Sequence, residues 1–141
     1  MKTIDSTRFE KIVADRLRSS IVERHSRFKV VKEEEYPDAL RSGMFYSPDL
    51  IFAEEGGEKE VVIELVDSVR FRTLPYAMLN KVRAIRDEFS HAEVVLLTSS
   101  EISPSLLKLL EGVDNVTVIQ ESDVSMAVEK IEKKISDIEG L

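Results

Sequence analysis

The 141-residue chain reads as an α/β domain, a mixed central sheet flanked by helices in the order α-β-β-β-α-β-α-β-α. Three observations predict this. The Gly56-Gly57 pair lies between two apolar, β-branched runs, Tyr46–Phe52 and Val61–Val66, which is a hairpin signal. From residue 73 onward, helical stripes alternate with short continuous apolar runs, as in β-α-β-α-β crossover units. An amphipathic stretch precedes both parts.

Taken in order, residues 6–24 form a helix, because Phe9, Ile12, Val13, Leu17 and Ile21 recur at helical spacing and Ser6 or Asp5 caps the start. Phe28–Val31 is a short strand. Residues 33–47 have no period and read as a loop, with room for one helical turn around Asp38–Arg41. The two hairpin strands follow. Thr73 then caps a helix with Pro75 in its first turn and Met78, Val82, Ile85 and Phe89 on its buried stripe. Glu93–Thr98 is a buried parallel strand, and Ser103-Pro104 opens a helix that stops at Gly112. Val116–Ile119 is a second buried strand. The last helix, 123–138, carries Val124, Val128, Ile131, Ile135 and Ile138 on one stripe, which packs on the sheet or supports a dimer. No repeat or linker divides the chain, so residues 1–141 are expected to form one domain.

The hairpin places two carboxylates together. With a two-residue turn at Gly56-Gly57, facing residues have numbers that sum to 113, and Asp49 and Glu64 satisfy that sum. Their Cβ atoms would lie roughly 4.5–5.5 Å apart on one side of the sheet. Like charges so placed repel, and apolar neighbours increase the repulsion, so a compensating cation is required. A divalent metal ion supplies it. A plainer arrangement also fits: Asp49 caps the start of its strand, Glu64 meets an arginine, or a longer or bulged loop shifts the pairing.

Composition restricts the chemistry. The chain has no cysteine, which removes disulfides, thiolate zinc sites and cysteine nucleophiles. Its two histidines, His25 and His91, are far apart, so any metal would be held by oxygen, as Mg²⁺, Mn²⁺ and Ca²⁺ are. His25 is placed at a helix end, where a cation suits the dipole, and neither histidine has a partner for nucleophilic catalysis. No apolar run is long enough to span a bilayer, and the composition is compatible with a cytoplasmic protein. The net charge of −7 argues against a general nucleic-acid binder, yet the charge is unevenly spread. Residues 1–31 carry eight basic and four acidic side chains, and residues 69–86 carry Arg70, Arg72, Lys81, Arg83 and Arg86 with no acid. Such a face can bind phosphates, or be a solvated helix surface.

The pattern of these motifs resembles the PD-(D/E)xK, or restriction-endonuclease-like, nuclease superfamily, nearest to archaeal Holliday-junction-resolvase-like and Mrr-like members. Pro48-Asp49 looks like the "PD" element, and Glu64, after fourteen intervening residues, like the second acid. Phe9-Glu10, with Val13 and Leu17, is similar to the helical segment that brings a further carboxylate, and Val94–Ser99 to a later strand of the family. The resemblance covers about Phe9 to Ile119 and implies a restriction-endonuclease-like core. It implies metal-dependent phosphodiester hydrolysis of DNA, with Asp49, Glu64 and the Leu65 carbonyl on Mg²⁺ or Mn²⁺. Glu10 would hold a metal-bound water or a second ion, and Arg70 and Arg72 would grip adjacent phosphates. DNA would bind through the basic segments 1–31 and 69–86. The family's habits, with the isoleucine stripe, would allow a homodimer.

One departure matters. The family pattern puts lysine two residues after the second acid, on the same strand face, and this chain has Val66 there. Either Lys81, bordering the buried stripe of the next helix, supplies the ammonium, or the domain binds or assembles without cutting. A lysine so placed more commonly lays its stem on the core edge and keeps its head in water.

Overall fold

The computed structural model describes residues 6–32, 35, 49–66, 75–89, 91–99 and 101–140. Among these, the elements run in chain order as α1 (Ser6–Arg24), β1 (Phe28–Val30), β2 (Leu50–Glu54), β3 (Glu60–Val66) and α2 (Pro75–Glu88). They continue as β4 (Glu93–Thr98), α3 (Pro104–Glu111), β5 (Val116–Gln120) and α4 (Val124–Glu139). The expected helical turn near Asp38–Arg41, the Thr73 cap and Pro48 lie outside the described residues.

The five strands form one sheet in the order β1-β2-β3-β4-β5. β1, β2 and β3 pair antiparallel, whereas β3-β4 and β4-β5 are parallel. The parallel pairs require crossovers, and α2 and α3 supply them. Met78, Leu79, Val82 and Ile85 of α2 and Leu106 and Leu110 of α3 share one apolar cluster with Ile51, Val62, Val66, Val94 and Leu96. Both crossover helices therefore cover the same sheet face. The opposite face, with Phe52, Val61, Ile63, Leu65, Val95 and Leu97, packs on α1 and α4. With both faces covered, β3 and β4 are apolar almost throughout and lack the alternation of a half-wet strand.

The helices end where their sequences say. In α3, the Ser103 hydroxyl accepts from the Leu106 amide at 3.3 Å, Pro104 occupies the first turn and Gly112 follows the last. In α4, Asp123 accepts from the Met126 amide at 2.9 Å. The C-terminus of α4 is capped from elsewhere: Lys59 Nζ donates to the carbonyls of Ile138 (3.0 Å) and Glu139 (3.3 Å). Ile131, Ile135 and Ile138 are buried in the α1/α4 cluster. The isoleucine stripe is thus consumed within the fold and offers nothing to a dimer.

Two expectations need correction. The hairpin loop is four residues long, Glu55–Glu58. It is closed by the Glu54 N–H to Lys59 carbonyl bond (2.8 Å) and a turn in which Gly57 N–H donates to Glu54 O (3.3 Å). Gly56 takes φ +75° at the third turn position, a conformation open to glycine at little cost. A four-residue loop centred on Gly56-Gly57 has the same midpoint as a two-residue one, so the register is unchanged. Leu50 faces Ile63, Ile51 faces Val62, Phe52 faces Val61 and Ala53 faces Glu60, each pair summing to 113. Second, β5 is an edge strand whose Val116–Ile119 are half-buried. His25 follows the end of α1, where the sequence places it; it is buried, and its Nδ1 lies 2.5 Å from Glu139 Oε1, joining the ends of α1 and α4.

Candidate functional site

The site lies where β2 begins and β3 ends. One step beyond the Leu50–Ile63 pair, the register sets Asp49 opposite Glu64 on the face covered by α2 and α3. Asp49 is exposed, and its Oδ2 accepts the Leu65 amide hydrogen at 2.8 Å. Glu64 is 1 % exposed, set among the apolar side chains that its strand brings to the core. A fixed backbone bond thus holds the first carboxylate beside the second.

The compensating charge comes from the next helix. Lys81 is 6 % exposed, and its ammonium pairs with Glu64 Oε2. The helical stripe explains the reach. Met78, Val82 and Ile85 anchor α2 on the sheet, and Lys81, adjacent to Val82, is drawn under the helix with them. The arrangement of a lysine head in water does not hold here.

Burial holds the Glu64 carboxyl well above the usual carboxylate range; a shared hydrogen bond with Asp49 and the charge of Asp49 add to the rise. Lys81 acts in the opposite direction, by charge and hydrogen bond. Two acids and one ammonium leave the group one negative charge when fully ionised. Glu64 Oε1 is buried and has no hydrogen-bond donor among the described residues. Leu65 directs its N–H toward Asp49, and the carbonyl of a strand residue points to the same side as its N–H. The Leu65 carbonyl therefore lies on the same flank of β3 as the Asp49 carboxylate.

Glu10 belongs to α1, which covers the opposite sheet face, and the charged groups acting on Glu64 are Asp49 and Lys81. Among the described residues, no three Asp, Glu or His side chains gather as a metal-holding group. Arg70 and Arg72 lie outside the described residues. Val66, two residues after Glu64, is 2 % exposed and buried under α2 as part of the core. In the basic segments, Arg16, Arg18 and Arg24 donate to Ser125, Asp15 and Glu132, and Arg86 donates to the Phe89 and Ala92 carbonyls. Arg83 is exposed, and His91 is exposed in a turn. No helix among the described residues is long and apolar enough to cross a membrane.

No family model matches the chain, and no curated protein matches it. Among solved structures it is similar to a repair endonuclease from Pyrococcus abyssi, at 20 % identity and a TM-score of 0.40. The match covers 74 % of this chain and 45 % of that one, so the chain spans less than half the length of that enzyme.

Proposed function

We propose that this chain is a nuclease-like protein that acts on nucleic acid through Asp49, Glu64 and Lys81 with a divalent cation. The observation that carries the reading is the contact of Lys81 with Glu64. It supplies, from α2, the ammonium that Val66 withholds, so that carboxylate, carboxylate and ammonium stand together again on one sheet face.

Asp49, Glu64 and the Leu65 carbonyl are hard oxygen donors, and the undonated Glu64 Oε1 is the atom that most needs a cation. Mg²⁺ or Mn²⁺ bound there would acidify a water and neutralise charge on the scissile phosphate. The protein's own part follows from its geometry. The Leu65 amide orients Asp49, burial keeps water from Glu64, and Lys81 sets a positive charge beside the place a phosphate oxygen would occupy. Arg70 and Arg72 are proposed to hold neighbouring phosphates. Glu10 is left out of the proposal, since its helix covers the other face.

The test is calorimetric titration of Mg²⁺ and Mn²⁺ into the wild type and Asp49→Ala/Glu64→Ala, beside cleavage assays on linear and branched DNA. Binding that the double variant loses, with cleavage lost in Lys81→Met, would support the reading. Absence of metal binding by the wild type, with and without DNA, would defeat it. A second reading, a binding module that does not cut, is favoured by the same contact seen from the other side. Lys81 already neutralises Glu64, so the facing carboxylates are compensated without a metal. DNA binding without cleavage in Mg²⁺ would select that reading.

A further inference from the structure

The sheet has two edges, β1 and β5. β1 has three residues, too short to template another chain. β5 is different: its five residues, Val116-Thr117-Val118-Ile119-Gln120, contain no charge and no proline, the features that usually guard an edge. Val116–Ile119 remain half-exposed although their composition is that of a core strand.

Hydrogen bonding tells which backbone groups are open. The Asn115 carbonyl accepts from the Val94 amide at 2.9 Å, and the Glu121 amide donates to the Thr98 carbonyl at 2.9 Å. Residues 115, 117, 119 and 121 therefore face β4. Val116, Val118 and Gln120 direct N–H and C=O off the sheet, with no further backbone partner among the described residues.

We propose that β5 is the surface on which two copies of this chain pair, antiparallel about Val118, into one continuous ten-stranded sheet. The edge is self-complementary. Pairing centred on Val118 sets Val118 against its own copy and Val116 against Gln120, so the outward groups of all three residues are satisfied reciprocally. Thr117 then lies beside Ile119, extending the apolar contact on the α1/α4 face. Charge does not oppose the register. Glu121 meets Asn115 and Asp114 meets Ser122, so no two acids face each other in a chain of net charge −7. A second copy thus fits this edge by geometry and by charge. One consequence concerns the candidate site but does not depend on its activity. Glu64 is in register with Leu96 and Val118. The two Glu64 residues would sit on the same sheet face, five strand spacings or about 24 Å apart.

The experiment is sedimentation of the full chain from roughly 1 µM to 1 mM, the range over which a small interface dissociates, with amide exchange measured at both ends. The expected result is a reversible dimer in which Val116, Val118 and Gln120 amides become at least tenfold more protected at high concentration. Thr117 and Ile119 amides, bonded to β4, should be protected throughout. Val118→Pro removes an outward N–H and leaves the β4 ladder intact, so it should weaken pairing at least tenfold. If that variant fails to fold, Thr117→Lys puts a charge on the edge without touching an outward group and should weaken pairing likewise. A monomer throughout, or a dimer that folded variants leave unchanged, would overturn the proposal, as would exchange at the three amides indifferent to concentration.

Discussion

Replacing Lys81 by methionine tests the buried pair most directly. The variant keeps most of the stem's volume and removes the charge that opposes the Glu64 shift. Leaving one partner of a buried ion pair alone costs about 3–5 kcal/mol, a large part of the roughly 5–15 kcal/mol that holds a domain together. Glu64 can escape the full cost by taking a proton, so the loss must depend on pH. Its folded pKa already lies above the unfolded value, because burial and Asp49 disfavour the anion, and removing Lys81 raises it further. A carboxyl with a raised folded pKa contributes stability fully present below the unfolded pKa and lost as pH rises through the folded one. The gap between wild type and Lys81→Met should therefore stay constant while Glu64 is protonated in both folded proteins, and widen by up to about 1.4 kcal/mol per pH unit as pH rises above the folded pKa of the wild type. Urea unfolding at a series of pH values measures this. Glu64→Gln/Lys81→Met, which leaves no ionised group at either position, should remove the pH dependence. A deficit of equal size at every pH would refute the reasoning, for it would mean that packing lost with the lysine stem, not charge, sets the cost.

Five other outcomes are expected. Lys81→Met/Val66→Lys returns the ammonium to the face of Glu64 from the strand, and should recover part of the stability lost by Lys81→Met in the same urea titrations. Gly56→Ala should cost about 1–2 kcal/mol from backbone strain alone, since φ is +75° and a Cβ there meets nothing within 4 Å. By contrast Gly57→Ala, where a Cβ would push the flexible Glu54 side chain aside, should change thermal unfolding by less than about 0.5 kcal/mol. His25→Ala removes the buried contact to Glu139 and should cost about 2–3 kcal/mol in denaturant titrations, with Glu139→Gln costing less. Mg²⁺ at one hundred times its Kd should stabilise the wild type by about 2.7 kcal/mol and leave Asp49→Ala/Glu64→Ala unchanged, as read by thermal shift.

The hairpin shows how much of the fold was legible. Its register was readable because it depends only on where the loop is centred, and the glycine pair marks the centre whatever the loop length. Loop length was not readable, because Glu55 and Glu58 suit either a strand end or a turn. The buried strands β3 and β4 announce themselves as unbroken apolar runs. β5 carries the same signal yet lies at the edge, since composition reports which neighbours a strand tolerates and not how many it has. The His25–Glu139 contact joins residues 114 positions apart, beyond the reach of any local pattern.

The candidate site was legible to a different depth for each residue. Asp49 and Glu64 followed from register, which is a local property of one hairpin. Lys81 was visible only as a lysine bordering an apolar stripe, a position that normally lets the head reach water. What draws it inward is the unmet demand of Glu64, a buried acid on the very face that α2 covers. The same demand explains why Val66 can be apolar. Once α2 brings the ammonium from above, a lysine at 66 would compete with it for Glu64 and would displace part of the packing that seats α2. Val66 and Lys81 are thus two halves of one arrangement: the valine seats the helix, and the seated helix delivers the charge. Glu10 is positioned by a different packing, for α1 is fixed by Phe9, Val13, Leu17 and Ile21 on the far face.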